Sequence, residues 1–414
     1  MAPRVNSHQA ATAAASPSTS VPTAAVDAAL QLTAMAMVDS TSAAVPDRPT
    51  PPRLQLQPPC LTTACMGPTT ACVRSMRSGG PLIGIARQGN KLVSTAIGLG
   101  GSGYTLAPGV KNALMALFDA QLLAHPEFCQ QDVAVVGGGL MGLTMATVLA
   151  KHAAVKRVHI YAEQREGLAS DNAGGLLGPT AVGVQRLTDA PGLTEIACDA
   201  FRAWAKLADG NKTKKDGSPK PKVARRMPSY QPIGQGGTMF SPYVAAGLMP
   251  PGTPVDVCFA AEGPTWHMER FETLFIDVTA HMARLHRRAS HRGVAWHVQK
   301  VTCLTDLGEP IIFNCAGLGG GELAHDSNMV PVLGHMIELR NQPNFPEQQY
   351  MLSMQLDSGT ETPDILYYIP KVGAGRQGVL GGTFFLGEAD LAAHLQAPAA
   401  ILQRARAVLG PATP

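Results

Sequence analysis

Residues 133–142 read VAVVGGGLMG. The apolar run Val133–Val136 has no polar interruption, as in a strand buried on both faces of a parallel sheet. Gly137, Gly139 and Gly142 then supply G-x-G-x-x-G around Gly138, Leu140 and Met141. The first glycine allows a tight turn, the second lets a pyrophosphate approach the backbone, and the third lets the next helix pack against the strand. That helix, LMGLTMATVLAKH, aims its N-terminal N–H groups and dipole at the phosphates. A second strand is expected over RVHIYAE (157–163). It ends in Glu163, 21 residues past Gly142, where an acid accepts hydrogen bonds from ribose hydroxyls. A lone glycine pattern is weak. Set between a strand and a helix, with its acid in place, it predicts a dinucleotide-binding βαβ unit; a similar unit that binds nothing is the alternative.

The chain has 414 residues, 45% of them hydrophobic, enough for a substantial core and two closely joined domains. A net charge of +3 is too weak and scattered to indicate a nucleic-acid partner. The densest basic stretch, NKTKKDGSPKPKVARR (211–226), reads as a solvated loop. The eight cysteines form no CxxC pair, and Cys60, Cys65 and Cys72 have no nearby histidine, so no metal site is expected. Free, mostly buried thiols in a reducing compartment are the default. No apolar run is long enough to span a bilayer. Residues 1–58 are rich in Ala, Ser, Thr and Pro and lack aromatics, which predicts a disordered leader. An organellar transit peptide is the other reading of so acid-poor a stretch, although it holds only three arginines. The C-terminal PATP is not a peroxisomal tripeptide. The compartment therefore stays open between cytoplasm and organelle.

Further segments choose among dinucleotides. ASDNAGGLL (169–177) is similar to the Thr/Ser-Asp-x-Ala-Ala-Gly-Leu segment of the D-amino-acid oxidase and glycine oxidase-like family. IIFNCAGLGGGEL (311–323) resembles that family's apolar strand ending in Asn-Cys-Thr-Gly. YYIPKVGAGRQGVLGGTFFLGE (367–388) resembles its Tyr-x-x-Pro…Leu-Gly-Gly…Leu-Gly strand pair. CVRSMRSGGPLIG (72–84) followed by GLGGSGYT (98–105) resembles its Phe-Arg-Pro-x-Arg-Pro segment followed by Gly-His-Gly-Gly-Tyr-Gly-x-Thr. All keep the family's order except the last pair, which moves from the end of the chain to the front. The resemblance thus implies an FAD enzyme of circularly permuted order, or a misassembled gene model. Joining and reopening a fold at surface termini can leave it intact. A helix-like stretch, APAAILQRARAVLG (397–410), ends the chain. Another, VKNALMALFDAQLLAHPEFCQQ (110–131), with Leu114, Leu117, Phe118 and Leu122 at helical spacing, would bridge the old termini.

The implied fold is α/β: a Rossmann-type FAD-binding domain interleaved with a mixed β-sheet substrate domain. The expected layout is a leader over 1–58, a permuted segment over 59–131, the FAD domain over 132–330 with a variable insertion at about 181–264, and substrate-domain strands plus a terminal helix over 331–414. The implied reaction is oxidation of the C–N bond of a D-amino acid or related amine to an imine, with molecular oxygen reoxidising the flavin to give hydrogen peroxide. Alternatives are a flavin dehydrogenase with another acceptor and a non-catalytic flavin- or nucleotide-binding protein.

By the resemblance, Arg74 clamps the substrate carboxylate, a task that suits the planar guanidinium fork, with Arg77 the second choice. Tyr367 donates its hydroxyl to the same carboxylate, and Tyr368 points to the opposite face of its strand. The Gly101 carbonyl accepts from the substrate amine. Gly98, Leu99, Gly100, Gly101, Ser102, Gly103, Tyr104 and Thr105 line the flavin, with Thr105 at its pyrimidine end. Ser170, Asp171, Ala173, Gly174, Gly175 and Leu176 pass along the ring. Gly317 returns to the cofactor, and Val301, in a strand VQKVTCL, touches the adenine side through its backbone. No side chain stands out as a general base, as suits hydride transfer governed by orientation. A basic helix is expected over ERFETLFIDVTAHMARLHRRASHRG (269–293), with Phe271, Leu274, Phe275, Val278, Met282 and Leu285 as its core stripe. Its histidines His281, His286 and His291 form no cluster. The family's second pocket tyrosine corresponds to Pro363, and its Arg-Gly-Gln turn to Leu333-Gly334-His335, so the pocket is altered.

Overall fold

The computed structural model describes residues 50–179, 192–210, 222–343, 345–356, 364–371 and 377–410. Its first strand, β1 (Arg53–Gln55), is followed by a long β2 (Met66–Arg77) and by the antiparallel β3 (Leu82–Gln88) and β4 (Lys91–Ile97). Helix α1 (Gly103–Ala124) leads to β5 (Gln131–Val136), α2 (Leu140–Leu149) and β6 (Val155–Ala162). Then come α3 (Leu193–Asp209), β7 (Ala224–Pro232), α4 (Gln235–Ala245), β8 (Thr253–Cys258), β9 (Trp266–Ile276), α5 (Val278–His291) and β10 (Ala295–Val298). The remainder is β11 (Ile311–Asn314), β12 (Met329–Leu339), β13 (Met351–Leu356), β14 (Asp364–Pro370), β15 (Gly378–Gly381), β16 (Phe385–Leu386) and α6 (Ala397–Leu409).

Two sheets divide these strands. One is six-stranded, in the order β10-β6-β5-β11-β4-β3, parallel except for β3 at its edge. Val133–Val136 in its middle are almost fully buried, which explains their unbroken apolar run. One face carries the main core, with α1, α2, α3 and α5. The other carries a smaller cluster of Val93, Ala134, Val136, Leu304, Leu307 and Ile312. The larger sheet runs β1-β8-β9-β7-β13-β14-β15-β12-β16, with β2 also paired to β12. Its two faces separate by strand alternation. Tyr368, Leu366, Leu352 and Leu380 pack under α6. Met227, Phe275, Met336, Met351, Ile369 and Val379 form the opposite wall, with Leu176 and Tyr367 against it. Because strands of the two sheets alternate along the chain, the sheets are interleaved.

Several sequence expectations are corrected. The helix expected over 269–293 is two elements. Residues up to Ile276 form β9 between β7 and β8, and the helix begins after Asp277, whose carboxylate caps it by accepting from the Ala280 N–H at 2.9 Å. The six stripe residues are all buried, but a strand supplies three and a helix the others. Val301 lies beyond β10 in a connection, packed against the smaller core cluster, and is not in a strand. The leader gives way to structure before residue 58. Arg53–Gln55 pair with β8, Leu56 is buried, and the Gln57 and Pro58 carbonyls accept from Tyr350 and Gln348. Residues 1–49 lie outside the described ones. The helix expected over 110–131 starts earlier, at Gly103, and stops at Ala124, before His125-Pro126. It buries Leu114, Phe118 and Leu122 but leaves Leu117 exposed. The basic loop expected over 211–226 becomes β7 at Ala224; residues 211–221 are not described.

No helix among the described residues is long and apolar enough to cross a membrane. No group of three or more metal-ligating side chains is present among them.

Candidate functional site

Parallel strands put their carboxyl ends on one edge, where ligands of open α/β sheets bind. Here Thr95 of β4, Asn314 of β11 and Val136 of β5 stand in one register, and Tyr161 of β6 continues it. The segments that follow these strands therefore meet at one edge: Gly98–Thr105 after β4, Gly137–Gly142 after β5, Glu163 after β6 and Gly317 after β11. Residues far apart in the chain are brought together by register alone.

The glycine turn is closely built. Gly137 has φ +110, and a Cβ there would lie 2.4 Å from the Cys315 carbonyl oxygen. A Cβ on Gly142 would lie 1.9 Å from the Gly137 oxygen, so α2 can pack on β5 only if residue 142 is glycine. Gly138 faces the Trp296 ring and Ala162. Leu140 and Met141 open α2 and are buried. Gly139 caps this helix without a side-chain hydrogen bond, leaving the first-turn N–H groups free of a side-chain partner. Ser170 Oγ stands 3.4 Å from the position of a Gly139 Cβ and is buried with no hydrogen-bond partner among the described residues. An orphaned hydroxyl beside an uncapped helix N-terminus is what an anionic group such as a pyrophosphate would satisfy. The residues present thus fit a dinucleotide. Glu163 is exposed at the end of β6, with Lys300 Nζ 3.5 Å away.

The 98–105 and 170–178 segments are tied together. Leu99 bridges to Met76 of β2, Gly100–Ser102 form a single 3₁₀ turn, and Gly103 opens α1. Gly101 is exposed and Ser102 fully buried. The Tyr104 hydroxyl donates to the Ser170 carbonyl at 2.9 Å, and the Trp204 indole donates to the Tyr104 carbonyl at 2.9 Å. Burial, then the Asp171 and Asp277 charges, push the Tyr104 phenol far up, so it stays a neutral donor. The Thr105 hydroxyl is buried 3.4 Å from both the N and the O of Gly178. It therefore braces backbone, where the resemblance placed it at the flavin. Asp171 is likewise engaged locally, accepting from the Leu168 N–H at 2.9 Å. Gly175 and Leu177 hydrogen-bond to β9, while Leu176 and the Gly174 backbone lie against the Ile369 wall of the larger sheet. Gly317 turns beside Ser75 of β2.

Arg74 and Tyr367 share this wall. The guanidinium lies flat over Gly334: a Cβ there would be 2.3–2.6 Å from Nη1, Nη2 and Cζ. Nη1 donates to the Thr383 carbonyl at 3.2 Å, and the Phe384 ring centroid is 4.4 Å from Cζ. Tyr367 rests on Gly381 and Gly382. Burial raises its phenol pKa, opposed by the nearby Arg74 charge. Tyr368 points to the other face, as alternation predicts, and donates to the Gln348 carbonyl. Arg77 has a different occupation. It pairs with Asp326 at 2.6 Å and donates to the Gly80 carbonyl, so it serves the β2–β3 turn.

Sequence reading missed three supports. Thr383 uses its carbonyl for Arg74 and its hydroxyl for the His335 N–H at 2.8 Å and Nδ1 at 3.0 Å. Burial, with His394 and Arg74 nearby, lowers the His335 pKa and keeps it neutral. Buried Lys371 donates to the Ala173 and Gly174 carbonyls at 2.5 and 2.7 Å, gripping the segment that passes the candidate site from below. Trp296 packs under Gly138 from β10. The usable signals were a lysine directly after the Tyr-Ile-Pro strand end and a threonine directly after the Gly381-Gly382 pair. Pro363 lies outside the described residues.

A parallel sheet with a dinucleotide turn, interleaved with a mixed sheet bearing an arginine and a tyrosine, defines a dinucleotide-binding α/β class of protein. Residues 132–413 match the family model described as "DAO: FAD dependent oxidoreductase", and the chain belongs to that family. It is an FAD-dependent oxidoreductase. A D-amino-acid oxidase from Streptomyces coelicolor is 28% identical over 264 residues, spanning 61% of this chain and 69% of that protein. Similar solved structures include glycine oxidase from Geobacillus kaustophilus, at 16% identity and TM-score 0.44 over 68% of this chain and 78% of that one. Iminodiacetate oxidase from Chelativorans sp. BNC1 matches at 15% identity and TM-score 0.48 over 67% and 78%.

Proposed function

We propose that the chain oxidises the C–N bond of a D-amino acid or related amine to an imine, with molecular oxygen as terminal acceptor and hydrogen peroxide as product. One observation carries the reading: Arg74 and Tyr367 lie together on an otherwise apolar wall that Leu176 and Gly174 lean against. A cation and a neutral phenol donor side by side suit a carboxylate, and the surrounding Met336, Met351, Ile369 and Val379 suit an apolar side chain. Arg74 clamps the carboxylate, Tyr367 donates to it, and the Gly101 carbonyl orients the amine. Gly137, Gly139, Gly142, Glu163 and Ser170 hold the dinucleotide half of FAD; Gly98–Gly103 and Ala173–Leu176 bound its ring. Bound FAD supplies a two-electron acceptor. The residues contribute orientation and the exclusion of water, which is most of what hydride transfer from a neutral amine requires.

The experiment is the visible spectrum of purified protein, followed without oxygen as D-amino acids and simple amines are added. Bleaching of the oxidised-flavin band, with peroxide formed on readmitting oxygen, supports the proposal. Bleaching without peroxide turns it into a dehydrogenase, and a band that no amine bleaches removes the substrate class. Arg74→Ala should raise substrate KM by about 10²-fold with flavin retained.

We read the chain as circularly permuted relative to the family's usual order. The support is spatial: β4, from ahead of the matched span, lies beside β11, and β2 pairs with β12 along nearly its whole length. Peptide mapping of the protein from its native source tests this, since a misassembled gene model would yield no peptide crossing the junction near residue 131.

A further inference from the structure

Of the eight free thiols, two lie five residues apart around one tight turn. Cys60 precedes and Cys65 ends a short turn, Thr63–Cys65, whose Thr63 and Ala64 are exposed while both cysteines are buried. A single buried side chain fixes both backbones. Gln342 Oε1 accepts from the Cys60 N–H at 2.7 Å, and its Nε2 donates to the Cys60 carbonyl at 3.2 Å and the Cys65 carbonyl at 3.4 Å. The Cys65 N–H closes the turn on the Thr62 carbonyl at 3.0 Å. The thiols lie at the two ends of this clamp, Cys60 Sγ 3.2 Å from Thr62 Oγ1 and Cys65 Sγ 3.4 Å from the Asn341 carbonyl.

We propose that Cys60 and Cys65 form a redox-active dithiol, oxidised by a hydroperoxide to an intramolecular disulfide. One buried side chain already holds both backbones, with the Cys60 and Cys65 carbonyls within 3.4 Å of the same Gln342 nitrogen, so closing the bond calls for side-chain rotation rather than backbone reordering. The roles are unequal. Burial pushes both thiols up, but hydrogen bonds from Cys65 and Thr62 bring Cys60 below the ordinary thiol value, whereas Cys65 stays above it. Cys60 is thus the nucleophile and Cys65 the resolving thiol. In the first step the Cys60 thiolate attacks the terminal peroxide oxygen; the O–O bond breaks, Cys60 becomes a sulfenic acid, and the other oxygen leaves after protonation, as water from hydrogen peroxide or as an alcohol from an organic hydroperoxide. In the second the Cys65 sulfur displaces the sulfenic oxygen as water, giving the S–S bond. Both electrons lost by the thiol pair reduce the peroxide. The inference does not depend on the proposed reaction.

The test treats the full-length holoenzyme with hydrogen peroxide, alkylates remaining thiols and maps peptides. The expected result is a fall of two in the thiol count, a Cys60–Cys65 cross-linked peptide lighter by two hydrogens, and reversal by dithiothreitol. With Cys65→Ser, Cys60 should accumulate as a dimedone-trappable sulfenic acid; with Cys60→Ser, oxidation at this turn should slow about tenfold or more. The proposal is overturned if both cysteines stay alkylatable while exposed Cys303 is oxidised, or if Cys60→Ser leaves oxidation of Cys65 unchanged. Mapping wild-type protein keeps the question decidable should a variant fail to fold.

Discussion

Gly334→Ala separates substrate binding from folding. Gly334 lies in β12 opposite Cys72 of β2, and its missing side chain is the floor on which the Arg74 guanidinium rests. An alanine Cβ would sit 2.3 Å from Nη1, where ordinary contact needs 3.4–4 Å, so the head group moves by more than 1 Å. That motion works against the Thr383 carbonyl at 3.2 Å and the Phe384 ring at 4.4 Å. The obstacle is the far end of a flexible side chain, and Gly334 has no positive φ, so stability should change by no more than about 1 kcal/mol. Hydrogen bonds to charged groups contribute about 1.5–3 kcal/mol, and a displacement of this size at a positioning group costs up to about 10²-fold. The expected result is a substrate KM raised roughly 10- to 100-fold, with flavin content and melting temperature near wild type. Anaerobic reduction across substrate concentrations measures it. Combining the change with Arg74→Ala should add little beyond Arg74→Ala alone, because both act through one guanidinium. A folded, flavin-loaded Gly334→Ala protein with KM within about twofold of wild type would refute Arg74 as the carboxylate clamp.

Gly142→Ala forces a Cβ to 1.9 Å from the Gly137 oxygen, which is backbone and cannot swing aside. It should cost about 1–3 kcal/mol and reduce bound flavin together; a native melting curve with full flavin content would show that α2 does not depend on that contact. Ser170→Ala removes a buried hydroxyl with no partner among the described residues, so the apoprotein should be as stable as wild type or slightly more so. FAD affinity, by titration of the apoprotein, should fall about 5- to 10-fold, and an unchanged Kd would place the pyrophosphate elsewhere. His281, packed against Trp204 and Tyr104, has its pKa lowered by burial, then by Arg284 and Arg288, to about 4. Folding therefore binds fewer protons than unfolding here, and stability should be full above about pH 6.5 and decline as pH falls toward about 4. Denaturant melts across that window should be flatter in His281→Gln; parallel curves would mean the imidazole is protonated in the fold.

The central βαβ unit was legible because every level agreed. Val133–Val136 are apolar as a doubly buried strand must be, and Gly137 and Gly142 satisfy contacts that no side chain allows. The Arg74–Tyr367 pairing was legible only through motif order, since no periodicity links β2 to β14. The stretch 269–293 reads as one helix for a physical reason: the end of β9, Thr273–Ile276, is buried on both faces, so its apolar residues show no period of two, and they merge with the helical stripe of α5. Asp277, an acid capable of capping a helix, was the overlooked boundary signal.

Motifs mark residues that would touch a ligand, and the structure shows how much of the site consists of residues that hold those. Thr105 and Asp171 belong to the matched motifs, yet their side chains bind backbone at Gly178 and Leu168. Thr383, His335 and Lys371 were assigned no ligand contact, yet they fix the Arg74 head group and the Ala173–Gly174 carbonyls. A buried polar side chain persists only where its hydrogen bonds are met, so these supports cannot vary independently of what they hold. The same reasoning explains the altered Leu333-Gly334-His335 turn. Gly334 is required by Arg74 lying on it, whereas position 335 needs only a group that bonds the Thr383 hydroxyl, which a neutral histidine does. The turn differs from the family pattern where the geometry permits it and retains the glycine where the geometry does not.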